Sequence, residues 1–405
     1  MGIALCVEDM EQLRVLVTDA DTPKSLAIVR SLGVRHEVWT AANARMALAA
    51  WSRYAARHLT YPSDRSSTFV NWVLSVCKEN GIRIVIPPEE PSSLMLAREA
   101  ERFAQYGIRI AALPIAALES VIDKTKTIAA ADQIGVAVPP TEVPDRAEDV
   151  FEAARRLGYP VVVKPRSTRF WDGERFVDSP GIGYANSDEQ LHRLMNSVDR
   201  RAASPIVQKF IPGEGVGVCM LTGHDGEVLA EFAHRRLRDY RPTGSGSVLR
   251  QSIALAPELR DMSARLLDRL GCRGVSMVEF RTDSRTGKPY LMEINGRFWG
   301  SLQLAIDAGV DFPALLIDWM TGKPVHRPAY REGVILRWWA GDFIRTLRVL
   351  KGRPPGFTGS FPSRLSALLE FLGPQPRGVR NEILRRSDYW PSLIEPISLM
   401  RKLIA

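Results

Sequence analysis

The chain has 405 residues, 45% hydrophobic and 25% charged, which is ample for two or three packed domains and unlike a disordered, collagen-like or disulfide-stapled composition. No run reaches the roughly 18 apolar residues of a membrane span, and the acidic first ten residues lack the basic start of a secretory leader. The net charge of +8 sits at one end, because residues 327–405 hold 14 Arg and Lys against 6 Asp and Glu. No aromatic stacking platform accompanies that basic tail, which points to Arg-rich solvated helix faces rather than a nucleic-acid surface. Cys6, Cys77, Cys219 and Cys272 are far apart and mostly in apolar runs, as expected of buried free thiols in a reducing, cytoplasmic compartment.

In chain order, residues 14–19 (RVLVTD) form a short buried strand, 23–32 a helix and 36–40 a second strand. A helix over 66–80, a strand at 82–86, a helix over 92–106 and a strand at 108–111 follow. Strands alternating with helices of this length imply a parallel sheet covered on both faces. Residues 19–24 and 87–92 follow strands, at the end where such sheets bind ligands, and the first turn lacks the Gly-x-Gly-x-x-Gly pattern of a nicotinamide dehydrogenase. Beyond a helix at 124–134 the alternation becomes antiparallel-like, with strands at 161–164, 206–210, 216–221, 227–233 and 247–255. Helices at 147–157, 188–199 and 258–270 intervene.

Three segments of this second region carry chemistry. Lys164 ends an apolar strand just before Pro165, a position suited to a phosphate. The loop over 166–183 closes on Gly181 and Gly183, whose neighbouring backbone N–H groups suit phosphate oxygens. An extended stretch through Gln208, Lys209, Phe210 and Ile211 stops at Pro212-Gly213 and offers a backbone edge to a purine. Arg236, Arg238 and Arg250 lie in and after a basic loop at 234–247, and their guanidinium groups suit a carboxylate or an acyl phosphate.

The most informative pair of segments is 275–281 (VSMVEFR) and 289–297 (PYLMEINGR). A hairpin turning about Thr286 sets Glu279 opposite Glu293, with Asn295 two residues along on the same face and Val275, Met277, Met292 and Ile294 on the apolar face. Opposed Cβ atoms on such a pair lie about 4.5–5.5 Å apart, so the carboxylates repel unless a cation sits between them. Oxygen donors without His or Cys point to Mg²⁺, with Mn²⁺ as a substitute. Arg297 adds a cation beside that face, an arrangement that phosphoryl chemistry requires.

In this order the elements resemble the ATP-grasp superfamily of carboxylate–amine ligases, in the manner of carbamoyl phosphate synthase, over roughly residues 1–325. The matching pieces are Asp123-Lys124, Val163-Lys164-Pro165, the small-residue loop, the stretch from Gln208 to Gly213, Glu279, Glu293-Ile294-Asn295 and Arg297. The resemblance implies an α/β parallel-sheet domain over 1–115, then an α+β ATP-grasp fold made of a small subdomain over 116–205 and a large one over 206–325. A mainly helical basic extension over 326–405 completes the chain. It further implies ATP between the subdomains, with Lys124 and Lys164 on the phosphates, the backbone of Lys209, Phe210 and Ile211 at the adenine, and Glu214 at the ribose. Mg²⁺ would be held by Glu279, Glu293 and Asn295, with Arg297 at the transferring phosphoryl group. Gly215 stands where many relatives carry the ribose-binding carboxylate, and the phosphate loop is poor in glycine.

The implied activity is ATP- and Mg²⁺-dependent ligation of a small-molecule or peptide carboxylate to an amine through an acyl phosphate, with the loops at 166–183 and 234–247 as lids and Arg236, Arg250 and Arg297 at the reacting groups. The same scaffold can act as a kinase on a hydroxyl, or bind nucleotide without turnover; the second would not need the acids and Arg297 together. No histidine is paired with a nucleophile elbow, which argues against a hydrolase. In the tail, Trp338, Trp339, Phe343, Leu347 and Leu350 have near-helical spacing and are expected to pack on the body. A last amphipathic helix beginning near Asp388 is expected to dock or to make a subunit contact in a homo-oligomer.

Overall fold

The structure is a computed structural model that describes residues 12–62, 67–171, 176–179, 183–196 and 205–404. The first region is the expected parallel sheet. Strands β1 (Arg14–Val17), β2 (Glu37–Ala42), β3 (Arg57–Thr60), β4 (Ile84–Ile86) and β5 (Arg109–Ile110) lie in the order β3-β2-β1-β4-β5, all parallel. Helices α1 (Pro23–Leu32), α2 (Ser67–Asn80), α3 (Glu90–Arg98), α4 (Ala100–Ala104) and α5 (Ile115–Ile122) connect or follow them. Helix α1 starts where its sequence dictates: the Thr22 hydroxyl accepts from the Ser25 N–H at 3.2 Å, and Pro23 takes the first position, where no donor is needed. The single helix expected over 92–106 is two, broken at Glu99.

Helix α6 (Lys124–Gln133), capped by the Asp123 carboxylate accepting from the Thr125 N–H at 2.9 Å, leads into the second region. A small sheet of order β10-β7-β11-β6 is built from β6 (Thr141–Glu142), β7 (Val161–Lys164), β10 (Gly183–Ala185) and β11 (Ile206–Lys209). Helices α7 (Val150–Leu157) and α8 (Asp188–Met195) cover it, and Val150, Ala153, Val161, Val163, Leu191 and Val207 give it a core of its own. The segment expected as an open phosphate loop instead contains a short hairpin, β8 (Arg169–Trp171) with β9 (Phe176–Asp178).

The large sheet has the order β16-β15-β12-β13-β14-β17-β18. Its strands are β12 (Gly213–Thr222), β13 (Val228–Arg238), β14 (Leu249–Ser252), β15 (Gly274–Asp283), β16 (Pro289–Asn295), β17 (Ile335–Arg337) and β18 (Arg380–Asn381); all pairings are antiparallel except β17 with β18. The basic segment expected as a loop from His234 continues as strand β13 to Arg238, because β12 and β14 run alongside and satisfy its backbone. Helices α9 (Pro257–Arg269), α10 (Leu302–Ala308) and α11 (Phe312–Met320) complete this region. Phe232, Met277, Trp299 and Leu302 share one core with Val15, Val17, Leu26 and Ile28 of the first region. Each such buried side chain contributes about 1.5–3 kcal/mol, so the parallel-sheet domain and the large sheet are welded together while the small sheet stands apart.

The tail is helical, with α12 (Trp339–Lys351), α13 (Arg364–Leu372) and α14 (Trp390–Ile404), but it also supplies β17 and β18 to the large sheet. Its apolar spacing does not mark the packed face. Trp338 is half-buried and donates from Nε1 to Glu395 at 2.6 Å, whereas Trp339, Phe343 and Leu347 point outward. Helix α12 is turned so that Asp342, Arg345, Thr346 and Val349 face inward, where Asp342 meets Arg337 at 2.8 Å and Arg345 meets Glu370 at 3.0 Å. Helix α14 docks on residues 48–51 of the first region, and its Ser398 donates to Asp21 at 2.6 Å. Among the described residues no helix is long and apolar enough to cross a membrane.

Candidate active site

The acidic hairpin forms with Glu279 opposed to Glu293, but Val275 and Met277 fall on the face of Glu279 and Asn295, because alternate residues of a strand share a face; Val278 and Phe280 instead share the apolar face with Ile294. Near the turn Phe280 pairs with Leu291 and Arg281 with Tyr290; a bulge then restores Glu279 opposite Glu293, Val278 opposite Ile294 and Met277 opposite Asn295. The bulge releases Met292 from the apolar face, and it lines the cleft beside Glu293. Asn295 Nδ2 donates to Glu279 Oε1 at 3.3 Å, which leaves its carboxamide oxygen as an acceptor. Burial raises the Glu279 carboxyl above its ordinary value; Arg236 opposes that rise and the charge of Glu293 adds to it.

Arg236 reaches Glu279 from two strands away and forms an ion pair with it. It crosses β12 at a glycine: a Cβ at Gly215 would stand 3.0 Å from Arg236 Cδ, and one at Gly217 would stand 2.5 Å from His234 Nε2. The sequence Gly213-Glu-Gly-Val-Gly217 therefore keeps one face of β12 bare so that longer side chains of β13 can lie over it. His234 is buried there, held by Ser301 Oγ at 2.8 Å, and burial pushes its imidazole down to about 3, with Arg236 and Arg250 pushing the same way.

Beside the hairpin opens a cleft of about 610 Å³ between the small and large sheets. Lys124, Lys164, Gln208, Glu293, Asn295 and Arg297 all line it. Lys164 is buried, and its ammonium donates to Gln208 Oε1 at 2.7 Å. Burial pushes the amine down to about 8, with Glu293 opposing and Lys124 and Arg281 adding to the fall. Tyr240, Arg241 and Ser179 also face the cleft.

Other expected residues lie elsewhere. Arg250 is fully enclosed in an ion pair with Glu382 of the tail and donates to the Ser247 carbonyl at 3.1 Å, so it is not brought to the cleft. Arg238 is likewise committed to Asp342 and Glu370. The Lys209 ammonium turns away to the carbonyls that end α7, donating to Gly158 at 2.7 Å, and its backbone N–H donates to the Pro140 carbonyl at 2.8 Å. Phe210 meets Tyr184 and Phe357 edge to face at 6.0 and 5.9 Å, and Ile211 is buried. Glu214 is exposed, opposite Thr282 in the ladder. Gly183 pairs with Val163 and its α-carbon faces Leu194, which occupies it as a ladder residue, and Gly181 lies outside the described residues.

A second group gathers at the carboxyl ends of β1 and β4. Lys24 and Glu89 form an ion pair at 2.8 Å. Burial and the nearby Arg297 push the Lys24 amine down to about 8 against the pull of Glu89. Although burial opposes it, Lys24 and Arg297 together hold the Glu89 carboxyl at about 2. Glu89 and Arg169 line both the large cleft and an adjoining cavity of about 320 Å³ that also holds Asp19, Asp21, Thr22 and Ser92. The sequence marked these two strand ends as ligand-binding, but not the pairing across them.

An α/β domain welded to a large antiparallel sheet, a separately cored small sheet and a cleft of acids and lysines between them make up an ATP-grasp fold. Residues 202–341 match the family model described as ATP-grasp in the biosynthetic pathway with Ter operon. The chain is 28% identical over 237 residues to D-alanine–D-alanine ligase B of Chromobacterium violaceum, covering 55% of this chain and 72% of that one. It is 24% identical over 252 residues to the N-terminal section of the carbamoyl phosphate synthase large chain of Methanopyrus kandleri, covering 58% of this chain but 39% of that one. Among solved structures, the ADP complex of N5-carboxyaminoimidazole ribonucleotide synthetase superposes with a TM-score of 0.65 at 15% identity, over 84% of this chain and 85% of that one. Residues 202–341 thus match an ATP-grasp family, and the chain as a whole has the ATP-grasp fold.

Proposed function

We propose that this protein is an ATP-dependent ligase that activates a carboxylate as an acyl phosphate and joins it to an amine, releasing ADP and phosphate. The observation that carries this is the convergence of Lys124, Lys164, Glu293, Asn295 and Arg297 on one cleft, with Glu279 behind them. ATP lies in that cleft with its phosphates on Lys124 and Lys164 and its purine along the backbone of residues 209–211. Three oxygen-bearing side chains, two of them opposed carboxylates of which one is raised by burial and its neighbour, fit Mg²⁺ or Mn²⁺. Among the described residues no competing cluster of three His, Cys, Asp or Glu gathers. The cation, when bound, supplies neutralising charge to the phosphates, and Glu279, Glu293 and Asn295 hold it.

The chain's own residues do the rest. Burial lowers the Lys164 amine to about 8, and an incoming phosphate favours its charged form at a low-dielectric position where that charge counts most. Arg297, beside Asn295, neutralises the transferring phosphoryl group, and Arg236 holds Glu279 in place. A substrate carboxylate oxygen attacks the γ-phosphorus and ADP leaves; the amine then attacks the acyl carbon, phosphate leaves and the amine loses a proton. The small sheet, with its separate core, closes as a rigid cover and keeps water from the acyl phosphate. The strand ends around Lys24, Glu89 and Asp19 provide the wall at which the joining substrates sit. Three buried free thiols, Cys77, Cys219 and Cys272, agree with a cytoplasmic setting.

The test is ATP turnover with Mg²⁺ against a panel of amino acids, peptides and other carboxylates, reading ADP, phosphate and product mass. A product equal to acid plus amine minus water establishes ligation; a phosphorylated alcohol would make the protein a kinase instead. Bound ATP with no turnover across the panel, unaltered in Glu293→Gln, would overturn the proposal.

A further inference from the structure

We infer that the outward face of α12 and α13 is a docking surface for an anionic lipid bilayer. Trp339, Phe343 and Leu347 recur every four residues along α12, and Leu365, Leu369 and Leu372 form a stripe at the spacing of one helix face on α13. All six are exposed, Trp339 by 51% and Leu372 by 75%. Phe371 of α13 lies 5.3 Å from Trp339 and 5.7 Å from Phe343, so the two helices present one continuous apolar surface.

The charges around it are one-sided. Lys351 ends α12, Arg364 begins α13 and Arg377 follows it; all three are exposed and, among the described residues, make no ion pair. The acids of the same segment are all paired with arginines, Asp342 with Arg337 and Arg238, Glu370 with Arg345, Glu382 with Arg250 and Asp388 with Arg30, and all but Glu370 are buried. The outer surface thus keeps unpaired cations and the aromatic and leucine side chains, while every carboxylate of the segment is already neutralised by an arginine. That division decides the occupant. A two-fold pairing of this face with itself sets cations against cations with no unpaired carboxylate of this segment between them. An anionic headgroup layer supplies the missing charge, and Trp, Phe and Leu reach the apolar depth just beneath it.

Flotation of the full chain with vesicles of phosphatidylcholine, with and without phosphatidylglycerol, tests this. The protein is expected to float with the anionic vesicles and not the neutral ones, and to be released by high salt. Lys351→Gln and Arg364→Gln should each weaken binding about fivefold, and the exposed double substitution L369S/L372S should abolish it with an unchanged thermal midpoint as the check on folding. Absence from the anionic vesicles, or equal flotation of the wild type and all variants, would overturn the inference. A dimer in sedimentation that L369S/L372S dissociates, without vesicle binding, would assign the face to a second copy instead.

Discussion

Arg236 and Arg250 stand opposite each other across β13 and β14, on the same face of one sheet, yet they serve different ends. Arg236 leans over the bare glycines of β12 to the acid of the cleft, and Arg250 leans the other way, over β17, to Glu382. The side chains are identical and their backbones are adjacent; the strand beyond decides. Where that strand is stripped of side chains the arginine reaches the acid behind the cleft, and where it leads to Glu382 of the tail the arginine becomes a fastening between distant segments.

The contrast can be broken from the structural side first. Arg250→Met leaves Glu382 buried without its partner and is expected to cost about 3–5 kcal/mol in denaturant unfolding, whereas R250M/E382L should recover most of that loss, since an apolar pair replaces the ion pair. Next in size, Arg236→Met should lower turnover about 10- to 100-fold by freeing a cation-holding carboxylate, with a much smaller effect on unfolding than Arg250→Met. Equal stability losses in the two variants would erase the distinction.

The tail side also predicts a pH effect. Burial raises the Glu395 carboxyl to about 7, with the Trp338 N–H opposing. The folded state therefore holds this proton more tightly than the unfolded one, so the stability it contributes is complete below about pH 4.5 and is lost as pH rises through about 7. Between pH 5 and 8 the wild type should lose roughly 2 kcal/mol more than Glu395→Gln, measured by unfolding at each pH. The smallest expected effect is at Gly215→Ala, whose new methyl would press on Arg236 at 3.0 Å. A loss of roughly 1 kcal/mol, with turnover falling more than stability, would place the bare strand in the service of the cleft.

What the sequence made legible follows the range of the forces involved. The parallel opening domain, the apolar strand ending in Lys164 and the facing of Glu279 and Glu293 depend on alternation and turn length within a few dozen residues. The facing survives even though a bulge at Met292 shifts the register below it. The fates of Arg250 and Arg238 were hidden, because their carboxylates lie more than a hundred residues along the chain. The role of Arg236 has its signal in the glycines at alternate positions of β12, which leave room for something lying across the strand. The aromatic spacing of α12 showed a face but not its direction, since the opposite face carries the acid and arginine that anchor it.

The tail does more than decorate the sheet. Residues 380–381 add its last strand, Asp388 grips Arg30 at 2.8 Å, and Ser398 reaches back to Asp21. During synthesis the first 300 residues can collapse around their shared core, but Arg250 and Arg30 wait for partners the ribosome has not yet made. The entropy of closing loops of that length is repaid only by the contacts these residues then make. The large sheet and the first region are thus tied to each other through residues 380–398, far along the chain from the strands they complete.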